Sequence, residues 1–127
     1  MAGMVDRDAF FAMLAERYPA VAAEIDQCIF GLIHCEMGEL ARAVQILISD
    51  QDVPAVREHF RFIDEVYRRA TPEVKSAVHV SYLERLGFDG RNGRRIKARE
   101  MLSPQLQAAL RDLEEYNTKL IGRKTPD

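Results

Sequence analysis

Three times in this chain a helix-capping residue stands shortly before a proline: Asp50 or Asp52 ahead of Pro54, Thr71-Pro72-Glu73 and Ser103-Pro104-Gln105. Such a side chain accepts from the free N–H groups of a first helical turn, where proline's fixed φ and missing N–H cost nothing. Each of these starts is followed by apolar residues at helical spacing, so the chain can hardly be anything but a series of short-linked helices. Asp6 caps an earlier helix, expected to reach about Tyr18 with Phe10, Phe11 and Leu14 on its apolar face. Pro19 then breaks or restarts it. Strand signals are nearly absent. The expectation is an all-α single domain over 1–127 with six or seven helices, arranged as a right-angled bundle or a short helical-repeat-like stack. No fixed sequence period supports a true solenoid.

The apolar period runs on from Ala20 through Val21, Ile25, Cys28, Ile29, Leu32 and Ile33, then through Leu40, Ala41, Val44, Leu47 and Ile48. Gly31 and Gly38 each cost about 1 kcal/mol in a helix interior. Two helices meeting near Phe30 to Cys35 are therefore expected, and whether 20–33 and 35–49 are one helix or two stays open. Next come a stripe of Val56, Phe60, Ile63, Tyr67 and Ala70, and then a helix apolar on most of its circumference (Val74, Ala77, Val78, Val80, Tyr82, Leu83, Leu86). That helix is expected to be central and to stop near Gly87. Ile96 to Leu102 suits a short helix. Leu106, Ala109, Leu110, Leu113, Asn117 and Leu120 line a last one, stopped by Gly122.

At 127 residues, 47% hydrophobic and 30% charged, the chain is long enough to bury roughly two-thirds of its unfolded surface. No stretch approaches the ~20 apolar residues of a membrane span, and Asp6 and Asp8 precede any apolar run, which does not suit a secretory signal. A cytoplasmic location follows as an expectation, with Cys28 and Cys35 as free thiols. Seven apart, these two would share a helix face and pack as small hydrophobes. Residues 1–84 hold 8 basic and 14 acidic side chains, a net −6. Residues 85–127 hold 10 and 6, a net +4. Such a dipolar surface orients an approaching partner.

The chemistry a helical protein carries shows in the spacing of its reactive residues. The residues three before His34, His59 and His79 are Gly31, Val56 and Ser76, so the Glu-x-x-His pairs of a di-metal bundle are missing. No zinc, phosphate-loop or nucleophile-elbow pattern occurs. No metal, cofactor or catalytic residue is therefore assigned. The densest cluster of reactive types is His34-Cys35-Glu36-Met37-Gly38-Glu39-Leu40-Ala41-Arg42, and His34, Glu36, Glu39 and Arg42 form its candidate pocket. Adjacent helical positions diverge by about 100°, which keeps His34 from serving Cys35 as a base. The structural reading places Glu39 and Arg42 in a surface pair and lets Gly38 with Ala41 allow a close helix crossing. His79 reads as a hydrogen-bonded core or edge histidine.

Gly87 to Arg99 departs from the helical rhythm. Glycines at 87, 90 and 93 lead into Arg91, Arg94, Arg95, Lys97 and Arg99, with no acid from 91 to 99. A Gly-rich basic loop over 87–95 is expected. The glycine spacing and the lack of a preceding strand exclude a dinucleotide cradle. Nucleic acid would use the five cations on phosphates, but Phe88 is the sole nearby stacking platform and the net charge is −2. Docking an acidic protein surface asks only for the cations on a rigid support.

Three patches, His34-x-x-Met37-Gly38-x-x-Ala41-Arg42, Val80-Ser81-Tyr82-Leu83-Glu84-x-Leu86 and Leu102-Ser-Pro104-x-Leu106, together resemble a family of small all-helical bacterial proteins of uncharacterised function. The resemblance covers about Phe10 to Leu120. It implies an all-α cytosolic protein without established enzymatic activity, and some similar small proteins are immunity partners that neutralise a toxin. It supplies no catalytic residue. The leading expectation is a non-catalytic module that binds another protein with an acidic surface through 91–99. The alternatives are nucleic-acid or polyanion binding through the same segment, and an enzyme with its site around His34–Arg42.

Overall fold

The capping chemistry sets the helix starts. In the computed structural model, which describes residues 4–26, 29–86 and 93–124 (side chains from 97 to 116 in the last stretch), Asp6 accepts from the Ala9 N–H and opens α1 (Arg7–Arg17). Pro19 opens the short α2 (Pro19–Ala23). After α3 (Ile33–Ser49), Asp52 accepts from Ala55 and starts α4 (Val53–Arg68). Thr71 accepts from Val74 and starts α5 (Pro72–Ala77). This helix runs on through a π-helical segment (Val78–Leu83) into α6 (Glu84–Leu86). Then come α7 (Gly93–Glu100) and α8 (Pro104–Lys124), with the Ser103 hydroxyl accepting from the Leu106 N–H. With 72–86 counted as one continuous helix, the described residues form seven helices and no strand, as the six-or-seven-helix, all-α reading requires. An isolated parallel bridge between Val5 and Ala70 ties the N-terminal stretch to the α4–α5 turn.

Several expectations fail. Helix does not continue past Ala23, and α3 begins only at Ile33. The apolar period misled because Ile25 is buried and Ile29 half-packed against the core without either standing in a helix. Gly31, at φ +91°, adopts the left-handed conformation a helix does not contain. Cys28 lies outside the described residues, and Cys35 is exposed rather than packed. At the other end, Gly122 does not stop α8, which runs to Lys124.

The core lies between α3 and the helix 72–86, with α1, α4, α7 and α8 closing around them. Phe10, Met37, Leu40, Phe62, Tyr82 and Leu106 are among its fully buried side chains. On α4 the buried stripe is wider than expected, adding His59, Phe62 and Val66. Val80, expected in the core, is exposed. The π segment closes on an i→i−5 bond from the Glu84 N–H to the His79 carbonyl, a widened turn often found at functional positions. It points Tyr82 and Leu83 into the core while Ser81 reaches α3 and His79 reaches α4. Gly38 faces the Arg85 guanidinium, which would stand 3.1 Å from a Cβ at that position.

Candidate functional site

The four residues of the expected pocket part company. Successive positions on α3 face different neighbours, so each side chain meets its own surroundings. His34 is exposed and pairs with the π segment, its Nδ1 2.7 Å from the Ser81 hydroxyl. Glu36, two residues on, is fully buried. One carboxylate oxygen accepts from Arg7 Nε at 2.9 Å, and the other accepts from the Arg7 terminal nitrogen and from the Gly31 N–H at 3.0 Å. Aromatic faces flank the Arg7 guanidinium, with ring centres at 5.1 Å (Phe11) and 4.3 Å (Phe30). The hydrogen bond to Glu36 drives the Arg7 pKa further above its already high ordinary value. Glu36 is thus a structural charge joining α1, the turn at 29–31 and α3.

Glu39 and Arg42 line a third place, a groove of about 350 Å³ shared with Val21, Glu24 and Ile46. Among the described residues they form no ion pair with each other. The candidate pocket His34, Glu36, Glu39 and Arg42 therefore does not assemble.

The histidines do not converge either. Among the described residues no group of His, Cys, Asp and Glu side chains is arranged to hold a metal ion. His59 is buried on α4, its ring stacked on Tyr18 at 4.0 Å between centres. Burial pulls its imidazole down to about 4. His79 is half-buried, with Nε2 2.8 Å from the Tyr67 hydroxyl, and burial lowers its pKa as well. Burial likewise pushes the Tyr82 phenol above its ordinary value.

The basic segment gives a different picture. Arg91 lies outside the described residues. Of the loop expected over 87–95, residues 87–92 also lie outside them, and α7 already begins at Gly93. Arg94 and Arg95 stand on the first turns of that helix. Arg99 makes a bidentate pair with Glu114 of α8, at 2.8 and 2.6 Å, which pins α7 to α8. The same turn buries Ala98, while Lys97 is exposed and among the described residues has no ion-pair partner.

Lys97 borders a groove of about 310 Å³ that sequence reasoning missed. Its other lining residues are Ile48 and Gln51 at the end of α3, Val53 and Val56 at the start of α4, and Ala98 and Met101. Ile48, Val56 and Ala98 are buried, whereas Val53 is 40% exposed. The signal in the sequence is slight: Val53 stands between a capping aspartate and a proline, where no core residue is needed. Gln51 turns the chain there at φ 58°.

A protein built of capped helices with scaffold charges inside and cations at one edge matches a known sequence family. The model described as "Domain of unknown function (DUF7674)" matches residues 11–118, and the chain belongs to this family. No curated protein matches the chain, and neither does any solved structure. Among the described residues no helix is long and apolar enough to cross a membrane.

Proposed function

We propose that the protein is a non-catalytic, cytoplasmic protein–protein interaction module that docks an acidic partner surface on α7 and its surroundings. The observation that carries this reading is Lys97, an exposed cation with no ion-pair partner among the described residues, on a helix fixed to α8 by Arg99 and Glu114. Arg94 and Arg95 share that helix, and the C-terminal part of the chain has a net positive charge. A rigid helix presenting cations needs little reorganisation to meet carboxylates, and complementary charge speeds and orients the encounter. The dispersal of His34, Glu36, Glu39 and Arg42 supports the non-catalytic part of the reading. Arg99, already held by Glu114, serves to support α7 and leaves docking to the other cations of the segment. A toxin with an acidic face is the form of partner implied by the resemblance to immunity proteins.

The experiment is affinity capture from the native host with the unaltered protein and with Arg94→Glu, Arg95→Glu and Lys97→Glu combined. A protein retained at low salt by the first and lost by the second is the expected result. Capture insensitive to these changes, or retention of nucleic acid alone, overturns the reading.

A further inference from the structure

The groove beside Lys97 narrows the chemistry of that partner. Its floor belongs to the core: Ile48, Val56 and Ala98 are held from three helices, and Met101 is half-buried against them. Val53 and Lys97, both exposed, also line the groove. Asp52, at the turn beside it, has its carboxylate engaged in capping α4, and among the described residues Lys97 is the one charged side chain lining the groove. At about 310 Å³ it lies at the small end of the range that holds ligands, roughly 300–1,000 Å³. That size suits one or two aliphatic side chains better than a large cofactor. Interfaces are commonly anchored by an apolar group in such a pocket, with charges at the rim setting register and orientation.

We infer that this groove takes an aliphatic side chain of a partner protein while Lys97 holds a carboxylate next to it in the partner's sequence. The inference rests on the reading that α7 docks an acidic partner, and adds that the acidic segment carries an apolar anchor. Arg99 is a positioning residue here. Through its pair with Glu114 it holds α7, which carries Lys97, on α8.

The test is NMR titration of methyl-labelled protein with three blocked peptides: acetyl-Glu-Leu-Leu-Glu-amide, acetyl-Lys-Leu-Leu-Lys-amide and acetyl-Glu-Ser-Ser-Glu-amide. The first should shift the methyl signals of Ile48, Val53, Val56 and Met101. It should bind roughly two- to fivefold more tightly than the second, the worth of an exposed ion pair. Lys97→Glu, whose fold is checked by its unchanged core methyl spectrum, should reverse that preference. Equal binding of the Glu-Ser-Ser-Glu and Glu-Leu-Leu-Glu peptides with silent groove methyls overturns the groove and leaves acidic docking standing. A preference unmoved by Lys97→Glu overturns the role of Lys97. Binding of neither acidic peptide overturns both the groove and the reading beneath it.

Discussion

Two arginine–carboxylate pairs join distant parts of this chain with nearly the same bonding, and their surroundings could hardly differ more. Arg7 meets Glu36 inside the protein, where the glutamate side chain is wholly buried, a backbone N–H supplies a third bond, and two aromatic rings flank the guanidinium. Arg99 meets Glu114 at the edge, where about a third of each side chain is exposed. Breaking a buried pair strands a charge away from water, while breaking a wet one releases both groups to solvent. The first pair organises α1, the turn at 29–31 and α3. The second only fastens α7. Both contain a residue whose type and place in the sequence suggest function, yet each acts as scaffold, and Lys97 is left to face solvent.

The sharpest way to break this contrast is to remove one partner of each pair. Glu36→Ala should cost about 3–5 kcal/mol, measured by urea unfolding. Should the variant fail to fold, Arg7→Met with Glu36→Leu should restore most of the loss, because no charge is then stranded. A loss below about 1 kcal/mol would place Glu36 in the same class as the surface pair.

The second buried polar residue offers the next largest effect. His59 sits near 4 in the folded protein, against about 6.5 when unfolded. Between these values the unfolded chain binds a proton that the folded protein does not. The stability this group contributes is therefore complete above about pH 6.5 and declines by about 3 kcal/mol as pH falls to 4. Unfolding free energy measured across that range should show the decline, and His59→Phe should flatten it. An unchanged slope in the variant would assign the acid sensitivity to other groups.

At the edge, the effects shrink. Arg99→Ala should cost no more than about 1 kcal/mol, while raising hydrogen exchange in α7 relative to α4. Lys97→Glu should leave stability within about 0.5 kcal/mol, read by the same urea titration. A larger loss would mean that Lys97, too, belongs to the scaffold.

The same contrast explains what could be read from the sequence. Asp6, Asp52, Thr71 and Ser103 each act on N–H groups three residues away, so helix starts are local chemistry and legible in the sequence. The places of Ile25 and Ile29 are not, because both keep a helical spacing while packing against the core without a helix. Nor is the π segment over Val78–Leu83, whose extra residue per turn leaves no mark in an apolar run. The site suffers most. Nothing near Glu36 announces an arginine 29 positions earlier, and nothing near Arg99 announces Glu114. The groove joins the α3–α4 turn to α7 across more than forty residues of sequence, so only the folded chain displays it.

Two double-mutant cycles test the central contrast most directly: Arg7→Ala with Glu36→Ala, and Arg99→Ala with Glu114→Ala, each measured by urea unfolding at neutral pH. Coupling of at least about 2 kcal/mol is expected inside the protein and below about 1 kcal/mol at its edge. Equal couplings, or a larger one for Arg99 and Glu114, would contradict the account.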